Sequence, residues 1–432
     1  MEFLDTPEKV KRLRTKLNMK QYELADEGLS TNYVNHIELG KTRLTEKAAE
    51  ILSSKFNSKA IELGIRLNIS PQYLSCSPIE EASEYCLKRI EKLRTIEETD
   101  ELLRICKQYN LESEESQIRR FIGDILFQGK EYEDASIQYN YAIDLCRNVD
   151  DRKALPYLYN KNGHSKYFLL SYKEALFFYE RANYHSHILE NFEIEQRSLH
   201  NVALCHNSLG DFNTALDVLS DFLKIADKNV IQDVYISSLI LMGNCYKELE
   251  NFEKALNIYK SILLEFSDLS PYYKGVIYTN IGGSYLEQEC YDESLEAFNN
   301  AEEIRKENDK TGLAFTMVEK AQVYVKQCLY ENATSLIYLA LVIAEEHKNR
   351  ECLLHGYTIL KNLYITTGNV KKLKETYENL IELLRKSGKK QQLLEATNAL
   401  ALLHINDSDN VAAKECLEMF RNNSGKSSNG NV

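Results

Sequence analysis

The sequence predicts an all-α protein, a small N-terminal head of short helices followed by a long array of helical hairpins. Three observations predict it. The 432-residue chain holds only five prolines and seventeen glycines, which favours long uninterrupted helices over a turn-rich sheet protein. A pattern of small and aromatic residues recurs at steps of 39 or 40 residues through most of the chain, the mark of a repeat architecture. Residues 1–67 carry a formal charge of +2 and the remainder −14, a change of sign that points to two parts with different partners.

Composition also excludes. Ten cysteines occur singly with no Cys-x-x-Cys pair, and the chain starts on an acidic segment rather than a signal peptide, so a reduced cytoplasmic protein is expected. The longest apolar run, Leu336 to Ala344, falls short of the ~20 residues that cross a bilayer, and no membrane association is expected. His185, His187 and His200 do not share a metal-ligating helix face, and no Walker or Gly-x-Gly-x-x-Gly motif occurs. No metal, cofactor or catalytic residue is therefore expected.

The head comes first. Val10, Leu13 and Leu17 make the apolar stripe of a first helix whose other faces are basic, with Lys9, Lys11, Arg12, Arg14, Lys16 and Lys20. A shorter helix follows over 21–26, with Ala25 permitting a close crossing, then a break at Glu27-Gly28-Leu29. Ser30 or Thr31 caps a third helix that runs to Glu38 and ends near Gly40. Thr45 caps a fourth helix to about Phe56, and Asn57-Ser58 caps a fifth to about Leu67. Residues 1–67 form this head, and 68–79 are expected to be a linker.

Ser77-Pro78 then supplies an N-cap and first turn for a helix from Ile79 to Leu93. A second helix, Thr95 to Tyr109, completes a cap or a degenerate first hairpin. The array proper, spanning 80–421 with its ends included, is built on a small residue at 135, 175, 215, 255, 294, 333, 373 and 413. A second small position lies twelve residues earlier at Gly123, Gly163, Ala203, Gly243, Gly282 and Ala321, whereas Lys361 breaks the rule. Two antiparallel helices approach closely only where side chains are minimal, with aromatic residues filling the adjacent grooves. Gly129-Lys130-Glu131, Leu209-Gly210-Asp211 and Thr367-Gly368-Asn369 are the turns between them. The polar low-complexity residues 422–432 are expected to be disordered.

This pattern resembles the tetratricopeptide repeat, which implies a right-handed α-solenoid of about eight hairpins. The period exceeds the usual 34 residues, and the excess is expected to lengthen the helices. In the head, Gln21, Leu24-Ala25, Tyr33, Ile37-Glu38 and Gly40-Lys41 resemble a helix-turn-helix of the phage-repressor type. Lys20 stands where a capping Thr or Ser is usual. That resemblance implies that Gln21 anchors on a phosphate and that Thr31, Asn32 and His36 face base edges in the major groove. Tyr33 and Asn35 would lie at the groove wall, and Lys41 and Arg43 on the flanking backbone. A nearly neutral head binds a duplex weakly, so a homodimer on a palindromic double-stranded DNA operator is expected.

In tetratricopeptide proteins the first helix of each hairpin lines the inner groove. Positions three before, one after and four after the small residue share a helix face. They hold Asn160, His164 and Tyr167, then His200 and Asn207, then Asn244 and Lys247, then Gln322 and Asn362. Asn201 and Asn280, two before the small residue, lie at the margin. Amides both donate and accept, so a row of them suits the backbone of an extended peptide. Leu204 and Gly283 break the row and are expected to leave pockets for peptide side chains.

A helix-turn-helix followed by such an array resembles the peptide-sensing regulators of Gram-positive bacteria known as the RRNPP family. The resemblance implies a cytoplasmic transcription regulator whose operator binding a short signalling peptide modulates, as in quorum sensing. Two other readings exist. The array would bind and inhibit a folded partner such as a response regulator, as some members of that family do, with DNA binding secondary, or the protein would be a hydrolase or phosphatase whose N-terminal helices serve catalysis, with an essential acid or amide within residues 1–110.

Overall fold

The computed structural model describes residues 2–226, 228, 231–386 and 390–424. Among them no strand forms, and the only non-helical pairing is a bridge between Asp26 and Leu29. The chain divides into two compact units, Met1–Glu195 and Gln196–Val432, and each is described by itself.

The first unit opens with α1 (Thr6–Lys16), a 3-10 turn (Gln21–Leu24), α2 (Thr31–Glu38), α3 (Glu46–Glu62) and α4 (Pro71–Ser75). Asp5, Ser30, Thr45 and Ser70 cap the four helices through their side chains, each satisfying an N–H that the helix leaves unpaired. The head's core gathers Val10, Leu17, Leu24, Leu29, Val34, Ile37, Leu52 and Phe56. Four expectations are corrected. The second helix is one 3-10 turn that stops at Leu24, because Ala25 takes extended backbone and its carbonyl accepts from Lys55 Nζ at 2.8 Å; Ala25 therefore permits no helix crossing. The fourth and fifth helices are one, since Asn57 does not cap: its side chain reaches across to the backbone N–H and carbonyl of Ile69, at 2.7 and 2.8 Å. The segment 68–79 holds α4, whose Leu74 is buried in the head's core. Lys9, read as part of the basic face, is buried, donating to the carbonyls of Tyr73 (3.0 Å) and Cys76 (2.8 Å) and facing Glu81 at 2.7 Å.

Next come α5 (Pro78–Ile90) and α6 (Thr99–Tyr109), both shorter than expected. They share a core with Phe3, whose ring meets Tyr85 and Tyr109 at 5.7 and 5.5 Å. The first hairpins are α7 (Glu112–Gln128) with α8 (Tyr132–Asn148) and α9 (Leu155–Phe168) with α10 (Tyr172–Ile188); α11 (Phe192–Ser208) spans the boundary between units. The second unit continues with α12 (Phe212–Ile225), α13 (Gln232–Glu248), α14 (Phe252–Glu265), α15 (Pro271–Glu287), α16 (Tyr291–Asn308), α17 (Lys310–Lys326) and α18 (Tyr330–Glu346). It ends with α19 (Arg350–Thr366), α20 (Val370–Lys386), α21 (Lys390–Asn406) and α22 (Asn410–Ser424). Of the tail expected to be disordered, residues 422–424 continue this last helix, and 425–432 lie outside the described residues.

The long period is explained as expected. Most helices of the array run to 17 residues, as in α7 and α8. The turn inside each hairpin is closed by one left-handed residue: Lys130, Leu170, Gly210, Glu250, Glu289, Cys328, Gly368 and Ser408, with φ between 60 and 82°. Their spacing repeats that of the small residues. In each case the next N–H returns to a carbonyl five residues back, as from Glu131 to Leu126 and from Asn251 to Tyr246, the closure that ends many helices. Glycine fills only two of these eight positions, so the turns are only partly marked in the sequence.

The small positions do what close packing requires. A Cβ added at Gly123, Gly163 or Gly282 would sit 2.7, 2.6 or 2.9 Å from the ring of Tyr139, Tyr179 or Phe298. All three rings are fully buried. Opposite them, Ala135, Ala175, Ala215 and Ala255 are buried without remainder.

Candidate nucleic-acid interface and ligand groove

In the head, Val34 and Ile37 turn inward, and at about 100° per residue the opposite face of α2 carries Asn32, Asn35, His36 and Leu39. Thr31 and Asn32 are exposed, as are Lys41 and Arg43 beyond the helix, whereas Tyr33, Asn35 and His36 are half-buried. Tyr33 donates its hydroxyl to the Arg43 carbonyl at 3.0 Å, which ties the basic 41–43 segment to the start of α2. Gln21 is not free for a phosphate: its amide donates to Glu38 at 2.7 Å and to Asn35 at 3.3 Å. Glu38 also receives both arms of Arg14, at 2.6 and 3.0 Å. Burial pushes the Glu38 carboxyl up, but the bonds from Arg14 and Gln21 and the charges of Arg14 and Lys11 outweigh it, so it stays ionised below the usual range. Arg14, which the sequence places on the basic face of the first helix, is thus spent on Glu38, and the clue is the position of Glu38 next to buried Ile37. The face left to a duplex is smaller than the sequence implied, with Lys11, Lys16 and Lys20 exposed around it.

In three repeats of the array, the position after the small residue bonds a tyrosine of the second helix. Asp124 accepts the Tyr139 hydroxyl at 2.8 Å, His164 Nδ1 meets the Tyr179 hydroxyl at 2.8 Å, and Asn244 accepts the Tyr259 hydroxyl at 2.6 Å. Where the second helix offers Leu219 or Phe298, the position holds Leu204 or Gly283. The row of polar residues is thus broken where no buried hydroxyl needs an acceptor. Gln322, facing Ile337 in the same register, donates instead to Glu319 at 3.0 Å.

Four of the expected groove residues converge. Asn207, Asn244, Lys247 and Asn280 line a cavity of about 430 Å³ in the second unit, with Glu248, Thr279, Gly283, Phe315, Glu319 and Glu351. All but Phe212 of its lining residues come from α11, α13, α15, α17 and α19, the first helices of successive hairpins. Gly283 leaves room for the Lys247 ammonium, which would lie 3.9 Å from a Cβ there. Glu319 takes the His355 imidazole at 2.7 Å. The remaining expected residues lie outside this cavity. Asn160, His164 and Tyr167 belong to the first unit. His200 bonds Ser238 at 2.9 Å, and burial pushes its pKa down to about 4, Arg197 helping and Asp233 opposing; Asn201 is buried and Asn362 exposed. The groove positions expected from the spacing of small residues do not include Phe212, Glu248, Thr279, Phe315, Glu319 or Glu351. Glu319 shares the register of Asn201 and Asn280, two before the small residue, and that signal was available.

Among the described residues no three His, Cys, Asp or Glu side chains gather as a metal site, and no helix is long and apolar enough to cross a membrane.

Residues 10–63 match the helix-turn-helix family. No curated protein matches the sequence. Among solved structures, the apo form of the quorum sensor NprR from B. thuringiensis is similar at 18% identity and a TM-score of 0.50, over 80% of this chain and 100% of that one. The apo form of RapI is similar at 21% identity and a TM-score of 0.51, over 64% of this chain and 99% of that one. These are likenesses of fold. The chain therefore joins a helix-turn-helix head to a helical repeat array with the fold of the NprR and RapI chains.

Proposed function

We propose that the protein is a cytoplasmic transcription regulator whose head binds double-stranded DNA and whose array binds a short signalling peptide that changes that binding. The observation that carries this reading is the convergence of Asn207, Asn244, Lys247 and Asn280 on one cavity. Tyr259 holds the Asn244 carbonyl oxygen, so the amide N–H groups remain for a ligand, and such donors suit the backbone of an extended peptide. Lys247 together with Glu248, Glu319 and Glu351 gives the cavity both charges. The similar NprR chain is a quorum sensor, which supports the same role for this one.

On the head, Asn32 and His36 read base edges, Thr31 stands at the helix start, and Lys41 and Arg43 meet phosphates. Gln21 serves by fixing α2 through Glu38, with Tyr33 and Asn35 at the margin. Two heads of one homodimer read a palindromic operator. The peptide must prefer one array conformation, because a ligand of equal affinity for both shifts nothing.

The test selects duplexes from a random pool with the full chain at low salt, then measures Asn32→Ala and His36→Ala on the enriched sequence. Each is expected to cost about 1–3 kcal/mol of specific binding while stability stays within about 1 kcal/mol. No enrichment of any sequence, or unchanged affinity in both variants, would overturn the DNA reading. Peptide titrations with folded proteins as competitors separate peptide sensing from binding of a protein partner.

A further inference from the structure

The first unit holds a larger cavity that no residue of the proposed peptide groove lines. It measures about 650 Å³ and opens between α8 and α10, with the loop before α9 at one side. In an array that is acidic overall, three guanidinium groups line it: Arg147 from α8, Arg152 from the loop and Arg181 from α10. Arg152 is held by Asp150 at 2.8 Å. Among the described residues neither Arg147 nor Arg181 pairs with a carboxylate, and Arg181 lies over the Phe177 ring at 5.3 Å.

Aromatic planes surround these charges. Tyr159, almost fully buried, stacks on His185 with centroids 5.4 Å apart and planes within 12°. Tyr184 meets His185 edge-on at 5.3 Å, and Phe177 meets Phe178 likewise at 5.4 Å. Phe177 and Tyr184 are about half exposed, at 49 and 56%, and with Phe178 and His185 they form a contiguous ring surface of the kind that marks a ligand site. The positive field is felt locally: burial first, then Arg181, Arg147 and Arg152, push the His185 pKa down.

We propose that this cavity binds a nucleoside phosphate. Guanidinium forks match phosphate oxygens in a bidentate way, and Arg147 and Arg181 have that capacity unspent. A planar base covers an exposed aromatic face, which tolerates any base because every base has a π-face. Asp144 also lines the cavity; a carboxylate there repels phosphate but accepts from an exocyclic amino group, so it sets which end of the ligand lies where. The volume falls within the usual range for small-ligand sites, about 300–1,000 Å³. This proposal stands apart from the peptide reading and shares no residue with it.

The test titrates the full chain by calorimetry with AMP, ATP and GTP, and with inorganic tripolyphosphate as a probe that carries charge but no ring. At least one of these nucleotides is expected to bind at least about tenfold more tightly than tripolyphosphate, and Arg147→Ala, Arg181→Ala and Phe177→Ala each to weaken it about tenfold or more. Asn244→Ala, in the other cavity, is expected to leave it unchanged. Arg147 is exposed and its side chain makes no bond among the described residues, so Arg147→Ala keeps the test decisive should Arg181→Ala or Phe177→Ala unfold. Absence of heat with every nucleotide at millimolar concentration would overturn the proposal. So would equal affinity for tripolyphosphate, binding indifferent to Arg147→Ala, or Arg147-dependent binding of an acidic tyrosine-containing peptide in place of any nucleotide.

Discussion

Asn244 shows how one side chain serves both packing and a candidate site. Its carbonyl oxygen accepts the hydroxyl of Tyr259, a fully buried ring whose phenol burial pushes up, so that it remains a donor. Removing the amide strands that hydroxyl. Asn244→Ala is expected to destabilise the protein by about 1–3 kcal/mol, and Tyr259→Phe by less, since Asn244 is only half-buried. The double variant should be about 1 kcal/mol more stable than the sum of the two predicts. Urea unfolding of the three proteins measures that coupling, and strictly additive losses would contradict it. The natural repeats run the same comparison: Leu204 stands opposite Leu219 and Gly283 opposite Phe298, polar partner and hydroxyl lost together.

Between elements, single buried or half-buried ion pairs do the stapling. Lys9 joins α1 to α4 and α5 through two carbonyls and Glu81, with its side chain wholly out of water. Lys9→Ala leaves those acceptors uncompensated and is expected to cost about 3 kcal/mol or more, against under about 0.5 kcal/mol for exposed Lys16→Ala. Equal, small shifts in the urea midpoint of the full chain would show that Lys9 staples nothing. His355 on α19 and Glu319 on α17 form a second such link. Burial lowers the His355 pKa, but the bond and charge of Glu319, with Glu351, outweigh burial and the opposing Lys247, so it is raised above its ordinary value. A raised imidazole stabilises below its unfolded pKa, about 6.5, and that contribution fades as pH climbs through the folded value. The melting temperature of the wild type should thus exceed that of His355→Gln at pH 6 and converge on it by about pH 8–9, by an amount worth less than ~1 kcal/mol at this partly exposed site. A gap that widens with pH would reverse the assignment.

Over the whole molecule, repeats that bury their cores against sequence neighbours should respond locally to damage. The hydrophobic clusters follow this rule: one joins α8 to α10, another α13 to α16, another α17 to α20. Gly163→Ala puts a Cβ 2.6 Å from the Tyr179 ring, an overpacking expected to cost about 1–3 kcal/mol. Hydrogen exchange should then rise in α9 and α10 and their neighbour α8, with α17–α20 unchanged. A rise of equal size throughout would mean that the array melts as one cooperative body.

The residues alone determined the helical class, the division into head and array, and the 39- or 40-residue step, because small residues opposite aromatics are a steric requirement that every hairpin must write into its sequence. They also marked Asn207, Asn244, Lys247 and Asn280, since helical spacing puts equivalent positions on one face. What they left open was decided by contacts far apart in the chain. Lys9 and Arg14 read as surface cations until Glu81, two carbonyls and Glu38 closed around them. Asn57 read as a cap until Ile69 folded back onto it. The left-handed positions Lys130, Leu170 and Glu250 are not glycine, since a hydrogen-bonded closure holds their backbone without one. Whether a polar side chain is solvated, paired or aimed at a ligand depends on what tertiary packing brings within about 3 Å of it, and no local pattern encodes that distance.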